Sequence, residues 1–89
     1  MAMVIVTLPR MLADLVGGRR HLEVAGDTVD GVLATLISMH PELRVHLFDE
    51  TGAMRTHVSC FHNDATISDP TAPVAAGDTV VILQAVSGG

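Results

Sequence analysis

The sequence contains no lysine, tryptophan or tyrosine, and it has only one cysteine. Because its five basic residues are all arginine, its side chains offer no primary amine that could attack an activated carboxyl group. A single cysteine excludes an internal disulfide, and it excludes a zinc or iron–sulfur site held by several thiolates of one chain. With two phenylalanines as the only aromatic residues, base stacking is a poor basis for nucleic-acid binding.

The chain is short and apolar, with 89 residues, of which 48% are hydrophobic and 17% are charged. These proportions are typical of one globular domain without room for a second core. A net charge of −5 argues against nucleic acid and anionic membrane as partners. It fits docking on a basic partner surface, although solubility alone is the more common reason for such a charge. No secretion signal is present and the apolar residues 3–8 are too few to span a bilayer, so we expect a cytoplasmic protein.

Several segments have the composition of β-strands. Valine, isoleucine and threonine dominate residues 3–8, and polar and apolar residues alternate over residues 20–24. These two segments are therefore predicted to pair as a hairpin with a long connection. Residues 58–61 predict a third strand, residues 65–67 a short one after it, and residues 79–85 the last strand.

One segment has a strong helical period. Asp27 or Thr28 is predicted to be its N-cap, and Pro41 to mark its end. The apolar stripe of this helix is predicted to consist of Val29, Val32, Leu33, Leu36, Ile37 and His40. Two further apolar segments, residues 11–16 and 43–48, show no clear period, and the first is predicted to be either a turn of helix or a packed loop.

The order β-β-α-β-(β)-β predicts an α+β domain, with one mixed sheet of four to five strands packed on one main helix. The first and last strands are the most apolar, so we place them in the centre of the sheet. One helix covers only one face of a sheet, yet Val81 and Leu83 of the last strand point away from Val80 and Ile82. The second face is therefore either an exposed apolar patch for a docking protein or is covered by the two apolar segments without a period.

No group of residues predicts an independent active site. The histidines are His21, His40, His46, His57 and His62. Only His57 and His62 are close in sequence, and their odd separation places them on opposite faces of a strand, so we predict surface or half-buried histidines and no metal site. Cys60 lies within a predicted strand and is interpreted as a core residue, not a nucleophile. Gly17-Gly18 precedes a strand and not a helix, so it does not predict a phosphate loop.

The feature that remains is Gly88-Gly89, which follows directly on the last apolar strand. Two residues without Cβ form a thin segment with wide backbone freedom, which could enter a narrow channel of a partner enzyme. They also leave the last carbonyl open to a nucleophile. A carboxylate is a poor electrophile, so acyl transfer requires activation by a partner, for example as a mixed anhydride with AMP. We therefore predict a globular domain over residues 1–85 and a flexible tail over residues 86–89.

Taken together, these features resemble the ubiquitin-like sulfur carriers of the MoaD/ThiS family, which have the β-grasp fold. The resemblance is carried in chain order by Leu8-Pro9, Gly17-Gly18, Gly26-Asp27-Thr28-Val29, Gly77-Asp78-Thr79-Val80 and Gly88-Gly89. The terminal glycine pair is the specific element, and the other motifs gain weight from their order. The chain departs from the family at Gln84-Ala85, where many members have proline, and at His62-Asn63, where Val-Asn is frequent.

The resemblance implies that an adenylating enzyme of the ubiquitin-activating type uses ATP to activate the C-terminal glycine, which is then converted into a thiocarboxylate. Gly89 would be the site of both the acyl-adenylate and the thiocarboxylate. Val86, Ser87 and Gly88 would be the tail that partner enzymes hold. The chain itself would bind no cofactor and no metal, and it would act as a co-substrate or small subunit, not as an enzyme.

The segment 47–52, followed by Met54-Arg55, is similar to the longer carriers of the family. These include the longer small subunits of molybdopterin synthase and the mycobacterial carrier that feeds cysteine synthesis. The expected sulfur acceptor is therefore the large subunit of molybdopterin synthase or a cysteine synthase. Two alternatives stay open: a ubiquitin-like modifier that is conjugated through Gly89, and a non-catalytic β-grasp binding module whose tail has no chemical role.

Overall fold

The fold is seen in a computed structural model, which describes residues 2–67 and 69–84. The strands are Ala2–Thr7 (β1), His21–Gly26 (β2), Val58–His62 (β3), Ala65–Thr66 (β4) and Thr79–Gln84 (β5). The helices are Arg10–Ala13 (α1), Val29–Met39 (α2) and Arg44–Leu47 (α3), and 3-10 turns lie at Asp14–Val16 and Pro41–Leu43. Within the described residues, no helix has the length and apolar character needed to cross a membrane.

The five strands form one mixed sheet in the order β2-β1-β5-β3-β4. β1 pairs antiparallel with β2 and parallel with β5, while β3 pairs antiparallel with both β5 and β4. The predicted hairpin of the first two strands is therefore confirmed. The first and last strands lie inside the sheet, as their apolar composition predicted, and β5 has a hydrogen-bonded neighbour on each side.

The main helix α2 begins where its sequence supplies a cap. Of the two predicted candidates, Thr28 is the N-cap, and its Oγ1 accepts a hydrogen bond of 3.0 Å from the backbone N–H of Gly31. The side chains buried along α2 are Val29, Val32, Leu33 and Leu36. Ile37 is partly buried against the core. His40 follows the last helical residue, so the predicted stripe is wrong at this position.

One hydrophobic core lies between α2 and one face of the sheet. The segments without a helical period contribute to the same core, because Leu12, Val16, Leu43 and Leu47 are buried together with the inward residues of β1 and β5. They form the short helices and 3-10 turns that flank α2, and the helical turns between residues 41 and 47 were not predicted. These segments therefore extend the cover of the helix side of the sheet.

Gly26, the last residue of β2, lies close against Val32 of α2. A Cβ atom at Gly26 would lie 2.6 Å from the backbone nitrogen and 2.7 Å from Cγ2 of Val32. Only glycine leaves this space free, because real Cβ contacts do not become so short. The glycine of the Gly26–Val29 motif thus fixes the packing distance between β2 and α2.

The predicted last strand agrees with β5 as far as Gln84. Ala85 lies outside the described residues, so the boundary between a domain over residues 1–85 and a tail over residues 86–89 stays a prediction.

Candidate functional site

The predicted reactive segment itself lies outside the described residues. This holds for all four predicted site residues, namely Val86, Ser87, Gly88 and Gly89. What the structure describes is the platform from which this segment continues, up to Gln84 at the end of β5. The geometry of that platform shows where β5 ends and which strands lie beside its last residue.

The end of β5 lies at a defined edge of the sheet. Gln84 is opposite Val58, the first residue of β3, and Val81 is opposite Thr7, the last residue of β1. His21, the first residue of β2, is opposite Thr7 on the other side of β1. We call this edge, where β1 and β5 finish and β2 and β3 begin, the exit end. At Gln84 the chain leaves β5 beside β3, three residues beyond the last pair between β5 and β1.

The start of β5 is held by the turn that contains Asp78. Gly77 has a φ of 86°, and Asp78 Oδ2 accepts a hydrogen bond of 2.8 Å from the backbone N–H of Ala75. The same oxygen lies 2.7 Å from Nε2 of His62 on β3. The Ala75 N–H, followed by the side chains of Asn63 and His62, lowers the pKa of Asp78 to about 2. The carboxylate is therefore ionised at neutral pH and ties the turn to β3.

A second link between β3 and β5 comes from Asn63. The Asn63 side-chain oxygen accepts a hydrogen bond of 2.8 Å from the backbone N–H of Thr79. The backbone N–H of Asn63 donates to the Thr79 carbonyl at 3.0 Å. Asn63 and Asp64 both have positive φ, at 48° and 72°, which makes the turn between β3 and β4 tight. The His62-Asn63 pair, which departs from the usual family sequence, thus anchors the beginning of β5. Its partners are 16 residues away in sequence, and no local pattern predicts that contact.

The sheet face turned away from α2 carries an apolar surface, which we call the open face. Its members are Met3, Ile5, Phe61, Val81 and Leu83. Met3 and Leu83 are 48% and 47% exposed, and the other three are partly exposed. The two flanking segments do not cover them, since their buried residues belong to the core on the helix side. Of the two alternatives that the sequence left open, the structure supports the exposed apolar patch, which extends along β5 to the exit end.

A cleft of about 680 Å³ opens on the helix side of β3. Val29, Leu33, Phe48, Met54 and Ile67 supply its apolar lining, and Cys60 forms part of its wall. Cys60 is buried, and that burial raises the pKa of its thiol to about 11. Its Sγ lies 3.7 Å from Sδ of Met54. The interpretation of this cysteine as a core residue is therefore confirmed, and the cleft contains no activated thiol.

The histidines are dispersed, with His21 and His62 on strands, His40 at the end of α2 and His46 in α3. His21 Nδ1 lies 3.1 Å from Thr7 Oγ1, and His57 Nε2 lies 3.4 Å from the side-chain nitrogen of Gln84. His57 directly precedes β3, and His62 is the last residue of that strand. Within residues 2–67 and 69–84, no three histidine, cysteine or acidic side chains come together in a way that could hold a metal ion.

The family to which the chain belongs follows from its similarity to known proteins. A family model described as "ThiS family" matches residues 6–89. The sulfur carrier protein CysO of Mycobacterium tuberculosis is 30% identical over 91 residues, which cover 97% of this chain and 98% of that protein. The chain therefore belongs to the ThiS family of ubiquitin-like sulfur carriers, and the predicted resemblance is confirmed.

Solved structures confirm the β-grasp fold. The crystal structure of SAMP1 from Haloferax volcanii is similar with a TM-score of 0.86 and 30% identity, covering 99% of this chain and all of that one. CysO in the Amycolatopsis orientalis BexX/CysO complex gives a TM-score of 0.84 and 30% identity, with 97% and 99% coverage. Urm1 from Trypanosoma brucei has a TM-score of 0.73 at 20% identity, a likeness that concerns the fold alone.

Proposed function

From its membership of the ThiS family, we propose that this chain is a sulfur carrier whose Gly89 carboxylate is converted into a thiocarboxylate. The observation that carries the proposal is that the family match extends through Gly89, to the glycine pair on which the chemistry depends. The described part of the chain fits this role. It offers a rigid strand, β5, that leads to the tail, and it places no activated nucleophile beside it.

The chemistry takes place on the tail in four steps. A carboxylate oxygen of Gly89 attacks the α-phosphorus of ATP, and pyrophosphate leaves. A sulfide-level donor then attacks the acyl carbon, and AMP leaves with the electron pair of the broken C–O bond. The resulting thiocarboxylate sulfur attacks an electrophilic carbon of the acceptor, whose leaving group departs with the electron pair of the bond that breaks. Water then hydrolyses the acyl–sulfur bond, which leaves the sulfur on the acceptor as a thiol and restores the Gly89 carboxylate. Val86, Ser87 and Gly88 are the residues that partner enzymes hold while these bonds change.

A partner must supply the ATP site and all catalytic groups. We assign the first partner to the adenylating enzymes of the ubiquitin-activating type and propose that it docks on the open face. This face lies on the same strand as the tail, so a protein seated on Val81 and Leu83 is also next to Gln84. Exposed apolar patches of this kind mark protein-docking surfaces.

For the sulfur acceptor, the similarity to CysO favours cysteine biosynthesis, with a cysteine synthase as the enzyme that takes the sulfur. Delivery to the large subunit of molybdopterin synthase is the second candidate within the same family. A relative of this chain has been crystallised in the BexX/CysO complex. That complex supports the expectation that a carrier of this kind works with a separate protein.

The proposal is tested by incubating the chain with ATP, its adenylating enzyme and a sulfide donor. The mass of the intact protein is then measured by mass spectrometry. We expect a gain equal to the exchange of one oxygen for sulfur, located on Gly89 by fragmentation. A chain lacking Gly88-Gly89 is the matched control and must keep its mass. A wild-type mass that does not change, or a truncated chain that gains the same mass, would refute the proposal.

A second candidate function is a protein modifier, since SAMP1 of H. volcanii, described as small archaeal modifier protein 1, is similar in fold and sequence. In that case Gly89 would form an isopeptide bond with a lysine of another protein. The absence of lysine from this chain means that its own side chains could not extend a polymer through such bonds. Conjugates that appear in cell extract with the complete chain, and not with the truncated one, would favour this function.

A further inference from the structure

Most arginines of this protein lie at one end of the strands, and half of the acidic residues lie at the other. Arg10 lies three residues after the end of β1, and Arg19 and Arg20 directly precede β2. Arg55 lies three residues before β3, where its carbonyl accepts a hydrogen bond of 3.0 Å from the N–H of Val58. Four of the five arginines thus surround the exit end. Asp14, on the 3-10 turn after α1, is the acidic residue of the segment between β1 and β2.

Acidic residues collect at the opposite end of the sheet. They are Asp27 after β2, Asp30 in the first turn of α2, Asp64 between β3 and β4, Asp69 in the following loop and Asp78 before β5. Backbone contacts hold these loops together, since the N–H of Asp30 donates to the Pro70 carbonyl and the N–H of Val74 to the Asp27 carbonyl. Half of the ten acidic residues therefore lie towards the end of the sheet opposite the exit end.

The arginines beside β1 and β2 are free to meet a partner. Arg10, Arg19 and Arg20 are exposed. In the part of the chain that the structure describes, the ion pairs are His40–Glu42 and His62–Asp78, and none of these three guanidinium groups makes a hydrogen bond within it. Arg55 is the exception, because its Nε donates to the Val45 carbonyl at 2.8 Å and its charge, after the Thr51 hydroxyl, helps to lower the pKa of the nearby Asp49.

We propose that the exit end docks on an acidic rim around the active-site opening of the adenylating enzyme. This inference rests on the proposed sulfur-carrier function and adds to it the chemistry of the partner surface. Arg20 precedes β2 and Arg55 precedes β3, on either side of the end of β5. The two strands are three strand spacings apart, or about 14 Å at the usual spacing. That span is too wide for one phosphate group, and it fits carboxylates spread around an opening.

The opposite charges at the two ends also orient the approach. An acidic rim attracts the arginine end and repels the aspartate end, so the carrier arrives with its tail first. The net charge of −5 by itself fitted a basic partner surface. Because the arginines lie at the exit end, we expect an acidic partner surface there instead. The contact is electrostatic and exposed, and salt therefore weakens it over a Debye length of about 10 Å at 0.1 M.

The test measures ATP–pyrophosphate exchange by the purified adenylating enzyme of the same organism, with this chain as the varied substrate. We expect Arg20→Gln to raise the KM for the chain about threefold and Arg19→Gln/Arg20→Gln about tenfold at low salt, with kcat unchanged. The difference from wild type should shrink as salt is added. Arg20→Lys keeps the charge and should keep the KM near the wild-type value, which separates charge from folding.

Ala76→Glu is the matched control, because it changes the net charge by the same amount as Arg20→Gln but lies in the exposed turn before Gly77 at the acidic end. Its KM should stay within about twofold of wild type. A KM that the arginine variants leave unchanged would overturn the docking inference while wild-type exchange still supports the carrier function. A fall in kcat at constant KM would place the arginines at the nucleotide and also overturn it. Absence of exchange with the wild-type chain would refute the carrier function, and the inference with it.

Discussion

Ile82 and Leu83 are neighbours on β5, yet Ile82 is fully buried and Leu83 is 47% exposed. Their side chains point to opposite faces of the sheet because β-strands alternate. Ile82 packs in the core under α2, and Leu83 belongs to the open face next to the exit end. One strand thus supplies both the stability of the domain and a surface beside the tail.

Truncating these two neighbours should separate stability from docking. Ile82→Ala leaves a cavity in the core and should lower the free energy of unfolding by about 3 kcal/mol. Leu83→Ala removes a half-exposed side chain and should lower it by less than about 1 kcal/mol. Urea denaturation of both variants measures the difference. Equal losses would contradict the placement of the two side chains on different faces.

A charge on the open face should impair activation without unfolding the protein. Leu83→Asp places a carboxylate where we propose that the adenylating enzyme packs, and burying an unpaired charge there is unfavourable. We expect the KM for the chain in ATP–pyrophosphate exchange to rise at least about tenfold, while circular dichroism stays that of the wild type. Ala34→Asp is a suitable control, since it adds the same charge and Ala34 is exposed on α2, on the other side of the sheet from the open face. If both substitutions raised the KM equally, the open face would not be part of the docking surface.

A side chain at Gly26 should destabilise the folded protein. Gly26→Ala forces β2 and α2 apart at Val32 and should lower the free energy of unfolding by about 1–3 kcal/mol. Gly31→Ala offers a comparison within α2, where a new Cβ would lie 3.3 Å from Thr28 Oγ1 and alanine favours the helix. That variant should change the stability by less than about 1 kcal/mol. Thermal and urea unfolding of the two variants provide the measurement.

Asp78 should contribute to the acid dependence of stability. Its pKa in the folded protein is about 2, below the ordinary value of 3.8, so the unfolded chain binds more protons between these pH values. This contribution is present above about pH 4 and is lost as the pH falls towards 2. Asp78→Asn should therefore be less stable at neutral pH and show a shallower decline below pH 4. The measurement is urea denaturation at several pH values. If the variant lost stability below about pH 4 as steeply as the wild type, Asp78 would not be the source of the acid dependence.

Cys60 should be inert in the folded protein. Burial raises the pKa of its thiol to about 11, so very little thiolate forms at neutral pH, and the sulfur is shielded from reagents. A thiol reagent should label native protein far more slowly than protein unfolded in urea. Cys60→Ala should still acquire sulfur on its tail in the presence of the adenylating enzyme. Loss of sulfur loading in a folded Cys60→Ala variant would show that this thiol takes part in the transfer.

The sequence by itself determined the elements whose signals are local. Alternating and β-branched residues marked the strands, Thr28 marked the start of α2, and the apolar composition of β1 and β5 placed them inside the sheet. The glycine pair at positions 88–89 predicted a reactive tail, because residues without Cβ leave the last carbonyl accessible and no other group in the chain predicted a reactive site. These signals suffice because each depends on neighbours within a few residues.

The tertiary structure alone decided what depends on distant residues. His62 meets Asp78, and β2 and α2 approach closely at Gly26, through contacts that no periodicity encodes. The short helices between residues 41 and 47 were not predicted, because their sequence has no helical period. They are stabilised by the packing of Leu43 and Leu47 in the core. The separation of arginines from aspartates likewise arises only when the register brings the ends of four strands together. Composition records the net charge, but the fold decides which charges stand beside the tail.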